Sequence, residues 1–255
     1  MTFITDPLFY ALALPVVLAL GLSKGGFAGM GQMGTPLLAL VMPPLEAAAI
    51  VLPISVVMDL TAMWVYRKDW NGRILAIVFP GAVVGVVIAT LVAALISDAT
   101  VRVFIGVTTI AFVLFHWIGP KKIASEAPHA GVPSGVFWGT LSGFTSTLCQ
   151  AGGPPLQIYL LPQQLTKMVF VSTIAMYFGG LNLLKVPSYF VLGQFSAKGL
   201  ATSLALLPLA LIANQLGFWL VRRTPQELFY KITQVLMLLI SLELLRSGVM
   251  TIWNG

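Results

Sequence analysis

Two stretches of this chain carry the residue types from which a site for a small anion can be built. The first, GLSKGGFAGMGQMGTPLL from Gly21, holds Ser23, Lys24, Gln32 and Thr35 among backbone amides at Gly25, Gly29, Gly31 and Gly34. The second, GFTSTLCQAGGPPLQIYLL from Gly143, holds Ser146, Thr147, Cys149 and Gln150 with amides at Gly152 and Gly153. Glycine lets a ligand come close to the backbone. The apolar pieces that follow, Thr35 to Met42 and Pro154 to Leu161, are too short to cross a bilayer and read as half-helices whose N-termini favour negative charge. Two such loops facing each other would form one anion site.

The competing account of any single glycine is close helix packing, which needs no ligand. The paired loops, each with a half-helix, favour a site. Lys24 follows seventeen uncharged residues, Pro7 to Ser23, and has two readings, direct anion contact or a side chain reaching for an interface. Asp59, two helical turns before the basic pair Arg67-Lys68, is the coupling candidate: it relays a proton, or it pairs with Lys24 or Lys185. Glu243 and Arg246 are explained by an i, i+3 ion pair, and Asn182, Asn214 and Gln215 read as buried amides that glue helices together.

The elements that must hold these residues are membrane helices. Of the 255 residues, 58% are hydrophobic and 9% charged, too few charges to cover a soluble domain. The net charge of +6 sits in short clusters such as Arg67-Lys68 and Lys121-Lys122, which read as cytoplasmic anchors and not as a nucleic-acid surface. Eight predominantly apolar runs near twenty residues long emerge, at about 7–24, 45–66, 72–96, 100–118, 132–149, 166–190, 197–221 and 226–250. The first lacks a basic n-region and reads as a retained span.

The glycine loops also mark an internal repeat, since each reads Gly-Phe, a small-residue loop, then Gly-x-Pro-Leu. The expected fold is therefore an all-α polytopic membrane protein of two homologous repeats, residues 1–118 and 132–255, joined by a polar linker at 119–131. Each repeat has four long helices plus a half-helix. Parallel and inverted arrangements are both open; the inverted one keeps Arg222-Arg223 inside and suits alternating access.

On these residues the chain resembles the sulfite exporter TauE/SafE family, also called the 4-toluene sulfonate uptake permease family. The resemblance spans essentially the whole chain. It implies a secondary carrier of sulfur-containing anions such as sulfite, sulfonates or sulfoacetate, set in a bacterial inner membrane. It points by position at Gly25, Gly26, Gly29, Gly31, Gly34 and Pro36, and at Gly143, Gly152, Gly153 and Pro155.

Export of sulfite is the leading expectation, with proton-coupled uptake of an organic anion or an anion channel as alternatives. One cysteine and two histidines supply no disulfide or zinc cluster, and no hydrolase, metalloprotease or ATP-binding motif is present, so neither an enzyme nor a cofactor is expected. Lipid and the anion are the expected partners. Oligomeric state, a homo-oligomer included, stays open.

Overall fold

A computed structural model describes residues 4, 6–24, 35, 38, 41–93, 95, 97, 99, 100, 102, 103, 106, 107, 110, 113, 114, 117 and 131–254. Among them the secondary structure is helical, without strands. The helices are α1 (Pro7–Lys24), α2 (Pro44–Val65), α3 (Gly72–Val92), α4 (Val132–Cys149), the short α5 (Gly153–Leu160), α6 (Lys167–Val191), α7 (Ala197–Arg223) and α8 (Gln226–Asn254). Seven of these helices overlie apolar runs expected from the sequence, and α5 overlies the second expected half-helix. Of the first half-helix, Thr35 and Leu38 are helical. Lys121, Lys122 and most of the fourth expected span lie outside the described residues.

Local chemistry explains where the helices start. Asn71 accepts from the Ile74 amide at the head of α3 and Ser196 from the Gly199 amide at the head of α7, each satisfying a free N–H of the first turn. Prolines open α2, α4 and α5, where their missing N–H costs nothing.

Five helices, α1, α2 from Leu45, α3, α6 and α7, are long and apolar enough to cross a membrane. Their outward faces are apolar too. Leu91 is 76% exposed and Val191 80%, which suits contact with lipid and not water. In α4 a run of Ser and Thr lowers the apolar character, and in α8 the charges Glu227, Lys231, Glu243 and Arg246 do so. Glu243 and Arg246 form the expected i, i+3 pair at 2.8 Å.

Glycine sets the closest contact. Gly81 and Gly85 of α3 lie on the carbonyls of Val136 and Thr140, while Gly139 and Gly143 of α4 lie on those of Val78 and Ala82. A Cβ at any of the four would come within 2.0 to 2.2 Å of a carbonyl oxygen. In hydrocarbon, where burial of apolar surface drives little helix association, this close van der Waals approach is what holds two helices. Gly143 is thus a packing glycine.

The same contacts give directions. Numbers rise together along α3 and α4, along α1 and α7 (Ile4 near Thr202, Gly21 near Ala213), and along α2 and α7 (Ile50 near Ser203, Met58 near Asn214). They run oppositely along α2 and α6, where Met63 meets Gly179 and Asp59 meets Asn182. Hence α1 and α2, although consecutive, point the same way, and α3, α4 and α6 point the other way.

One face of the bundle gathers the basic residues: Arg67 and Lys68 after α2, Arg73 in α3, Lys167 in α6, and Arg222 and Arg223 in α7. Lys167 donates to the Thr224 carbonyl, and the Asn71 amide to Thr173, which places these ends at one level. Arg67 stacks over Trp64 at 4.0 Å and Arg223 over Trp219 at 4.6 Å, as cations and indoles do at a membrane interface. The opposite ends carry Asp6, Glu46 and Lys198.

Candidate functional site

Along α6 the residues Phe178, Asn182, Lys185 and Tyr189 recur at steps of four, three and four, so they share one face of the helix. That face runs between the ends of α1 and α4: Phe178 meets Lys24 of the first loop, Asn182 meets Asp59 of α2, and Lys185 and Tyr189 meet the second loop.

At the first loop, Lys24 ends α1 and places Nζ 2.8 Å from Asp59 Oδ1 and 3.0 Å from Oδ2. The Phe178 ring lies 5.1 Å below the same ammonium. Asn182 Nδ2 donates to Asp59 Oδ2 at 2.5 Å. Of the partners open to Asp59 in the sequence, Lys24 makes the ion pair. The Asp59 side chain is 2% exposed and that of Lys24 15%, so the charges are removed from water but balanced, as buried charges must be. Asn182 Oδ1 and Thr35 Oγ1 are buried with no hydrogen-bond partner among the described residues.

At the second loop the chain breaks for visible reasons. Gln150 takes a left-handed conformation with φ 57°, which ends α4, and its amide returns to Ser146 O. Gly152 packs so closely on Ser142 and Ser146 that a Cβ would sit 2.7 Å from either. Hydroxyls then satisfy the exposed carbonyls: Ser142 donates to Gly152 O at 2.6 Å and Thr145 to Ala151 O at 3.1 Å. The short α5 runs back along α4, bringing Tyr159 to Gly135, and is buried throughout.

Into this tip Lys185, wholly buried, donates to Ser146 O at 3.2 Å, Ser146 Oγ at 2.9 Å and Gln150 Oε1 at 2.5 Å. An ammonium has three N–H groups, and these oxygens match them. Tyr189 donates to Thr147 O at 2.8 Å, and Gln150 Nε2 reaches Ala48 O of α2 at 3.5 Å. Thr147 Oγ1 is turned to Gly143 O within α4. Prolines 154 and 155 remove two of the first amides of α5, so charge here comes from Lys185 more than from a row of N–H groups.

The structure thus brings Lys24 together with Asp59, and Ser146 together with Gln150, one turn apart along α6. Ser23 is half-buried in the last turn of α1, Thr35 is buried, Gly152 is a packing residue, and Gly153 is buried at the start of α5. Cys149 ends α4. Gly25, Gly26, Gly29, Gly31, Gln32, Gly34 and Pro36 lie outside the described residues.

Asn182 and Lys185 were not among the expected site residues. Their signal was present, as two polar side chains three apart inside an apolar run of helix length. Asn214, donating to Met58 O and Thr61 Oγ1, does act as helix glue. Gln215, expected to be buried, is exposed, because the neighbouring position on α7 points away from α2.

Two ammonium groups thus lie about one turn apart along α6, Lys24 paired with Asp59 and Lys185 held by the oxygens of Ser146 and Gln150. In comparison with known proteins, the family described as Sulfite exporter TauE/SafE matches residues 13–244. No curated protein matches the chain, and no solved structure does.

Proposed function

Because this chain belongs to the sulfite exporter TauE/SafE family, we propose that it is a secondary carrier that exports sulfite or a related sulfur oxyanion across a bacterial inner membrane. The observation that carries the reading is Lys185, a fully buried cation held at the broken end of α4 beside Ser146 and Gln150. An entering oxyanion takes over the Lys185 ammonium and the Ser146 hydroxyl, while Gln150 turns its amide N–H groups toward the ligand. Lys24 is the second cation of the site. Ser23, Gln32, Thr35, Thr147, Cys149 and the loop glycines complete the proposed lining.

Residues 1–118 and 132–255 are read as inverted repeats. Matching α1 with α4, α2 with α6 and α3 with α7 turns the α3–α4 contact into the α7–α1 contact and the α2–α7 contact into the α6–α3 contact. In each matched pair the two helices point in opposite directions, which supports inversion and the rocking of one half against the other. The basic face is taken as cytoplasmic. An inside-negative potential then favours anion exit by about 2.3 kcal/mol per charge per 100 mV.

Counterflow separates a carrier from a channel. Proteoliposomes loaded with unlabelled sulfite should accumulate radiolabelled sulfite transiently, and Lys185→Met should abolish that accumulation. Flux without counterflow indicates a channel; absence of flux removes the assignment.

A further inference from the structure

The Lys24–Asp59–Asn182 cluster holds more than a static ion pair requires. Lys24 Nζ and Asn182 Nδ2 both donate to Asp59 Oδ2, and Asp59 Oδ1 lies 2.8 Å from the ammonium, yet Asp59 Oδ1 and Asn182 Oδ1 are both buried without a hydrogen-bond partner among the described residues. A buried acceptor left empty is costly. It gains a donor when Asp59 is protonated, because an acid O–H can then donate to Asn182 Oδ1 while Asn182 Nδ2 goes on donating to the other acid oxygen. The carboxamide therefore suits both protonation states of Asp59.

We propose that Asp59 and Asn182 form a proton site linked to anion binding through Lys24. The substrate oxyanion draws the Lys24 ammonium away from Asp59, and the carboxylate, left buried without its cation, takes up one proton. No other bond is made or broken. Before binding, the charges of Lys24 and Asp59 cancel; afterwards Lys24 is balanced by the anion and Asp59 is neutral. The centre is thus uncharged in both states when the anion is monovalent, which avoids an unpaired charge during the conformational change.

The other groups facing Asp59 fit this assignment. From α1 comes Lys24 alone among charged residues, and α7 has none between Lys198 and Arg222. From α6 the nearest titratable groups are Tyr177, Lys185 and Tyr189, of which Lys185 is committed to Ser146 and Gln150. The described part of α4 that approaches α2 offers Ser and Thr, with Cys149 at its end.

The proposal rests on the carrier reading and makes the driving force depend on the substrate. A monovalent sulfonate moves with a proton without net charge, so its flux follows the pH gradient. Sulfite dianion with a proton still carries one negative charge, so the membrane potential still drives its export.

The test uses the full chain in proteoliposomes with methanesulfonate and sulfite as probes, a trapped pH indicator, and infrared difference spectra recorded on adding either anion. The expected result is a protonated-carboxyl band that appears with the anion and is missing in Asp59→Asn, together with proton movement in step with methanesulfonate. In Asp59→Glu, which keeps a titratable carboxyl, both signals should persist. Saturable anion flux with no carboxyl band and no proton movement in the wild-type protein overturns the proton site and leaves the carrier reading intact. No saturable flux of either anion overturns both. The wild-type measurements decide the matter even if a variant fails to fold.

Discussion

Asp59 is the sixteenth residue of α2 and Asn182 the sixteenth of α6, and the two side chains meet at 2.5 Å. On the proposed inverted-repeat reading, the two are counterparts, and a residue that touches its counterpart lies beside the axis relating the halves. On that reading the pair sits where rocking of the halves would displace it least. Its ion-pair partner, Lys24, is anchored on a different helix, α1.

The Lys24–Asp59 pair should behave as a coupled unit in folding. Lys24→Met leaves Asp59 buried without its cation and should cost up to about 3–5 kcal/mol, the full amount only where Asp59 takes up no proton, whereas Lys24→Met with Asp59→Asn should recover most of the loss. Thermal unfolding of the three variants in detergent checks this; equal losses in single and double variants would deny the coupling.

Lys185→Met should lower sulfite flux by at least about tenfold, roughly 1.4 kcal/mol. Ser146→Ala, which removes one acceptor and one hydroxyl of the same cluster, should raise the half-saturation concentration with a smaller effect on maximal rate. Initial rates over a range of sulfite concentrations separate the two outcomes.

The glycine contacts predict stability, not transport chemistry. Gly85→Leu drives a side chain into the Thr140 carbonyl, which a Cβ alone would approach to 2.0 Å, and should destabilise by more than about 3 kcal/mol or prevent folding. By contrast Gly193, at φ +64° with open space around it, should accept Asn nearly silently and resist Val. Melting temperatures of the purified variants are the check.

Much of this was legible in the sequence. The limits of α1, α2, α4 and α6 followed from apolar run lengths and proline punctuation, because the hydrocarbon thickness fixes the length of a span. The pairing within the site was not legible, for a physical reason. Asp59 has the same sequence signature whether it pairs with Lys24 or Lys185, and only the level at which α1 ends against α2 decides. Asn182 and Lys185 were hidden in the same way, since a polar residue in an apolar helix reads alike as glue or as ligand. Gln215 shows the opposite error: beside the buried Asn214, it faces outward one step round the helix.

Sidedness can be read by labelling. With Cys149 replaced by serine, a cysteine at Lys68 should react only with reagents admitted to the cytoplasmic side, and one at Lys198 only from outside. The same side for both would contradict the direction assigned to α7 relative to α2.

The most direct test of the central claim is net sulfite efflux from proteoliposomes under a potassium-diffusion potential, negative on the loaded side. Saturable efflux that quickens with potential, and that Lys185→Met suppresses, is the predicted result. Efflux no faster than from protein-free vesicles, or equal in the Lys185→Met variant, would contradict it.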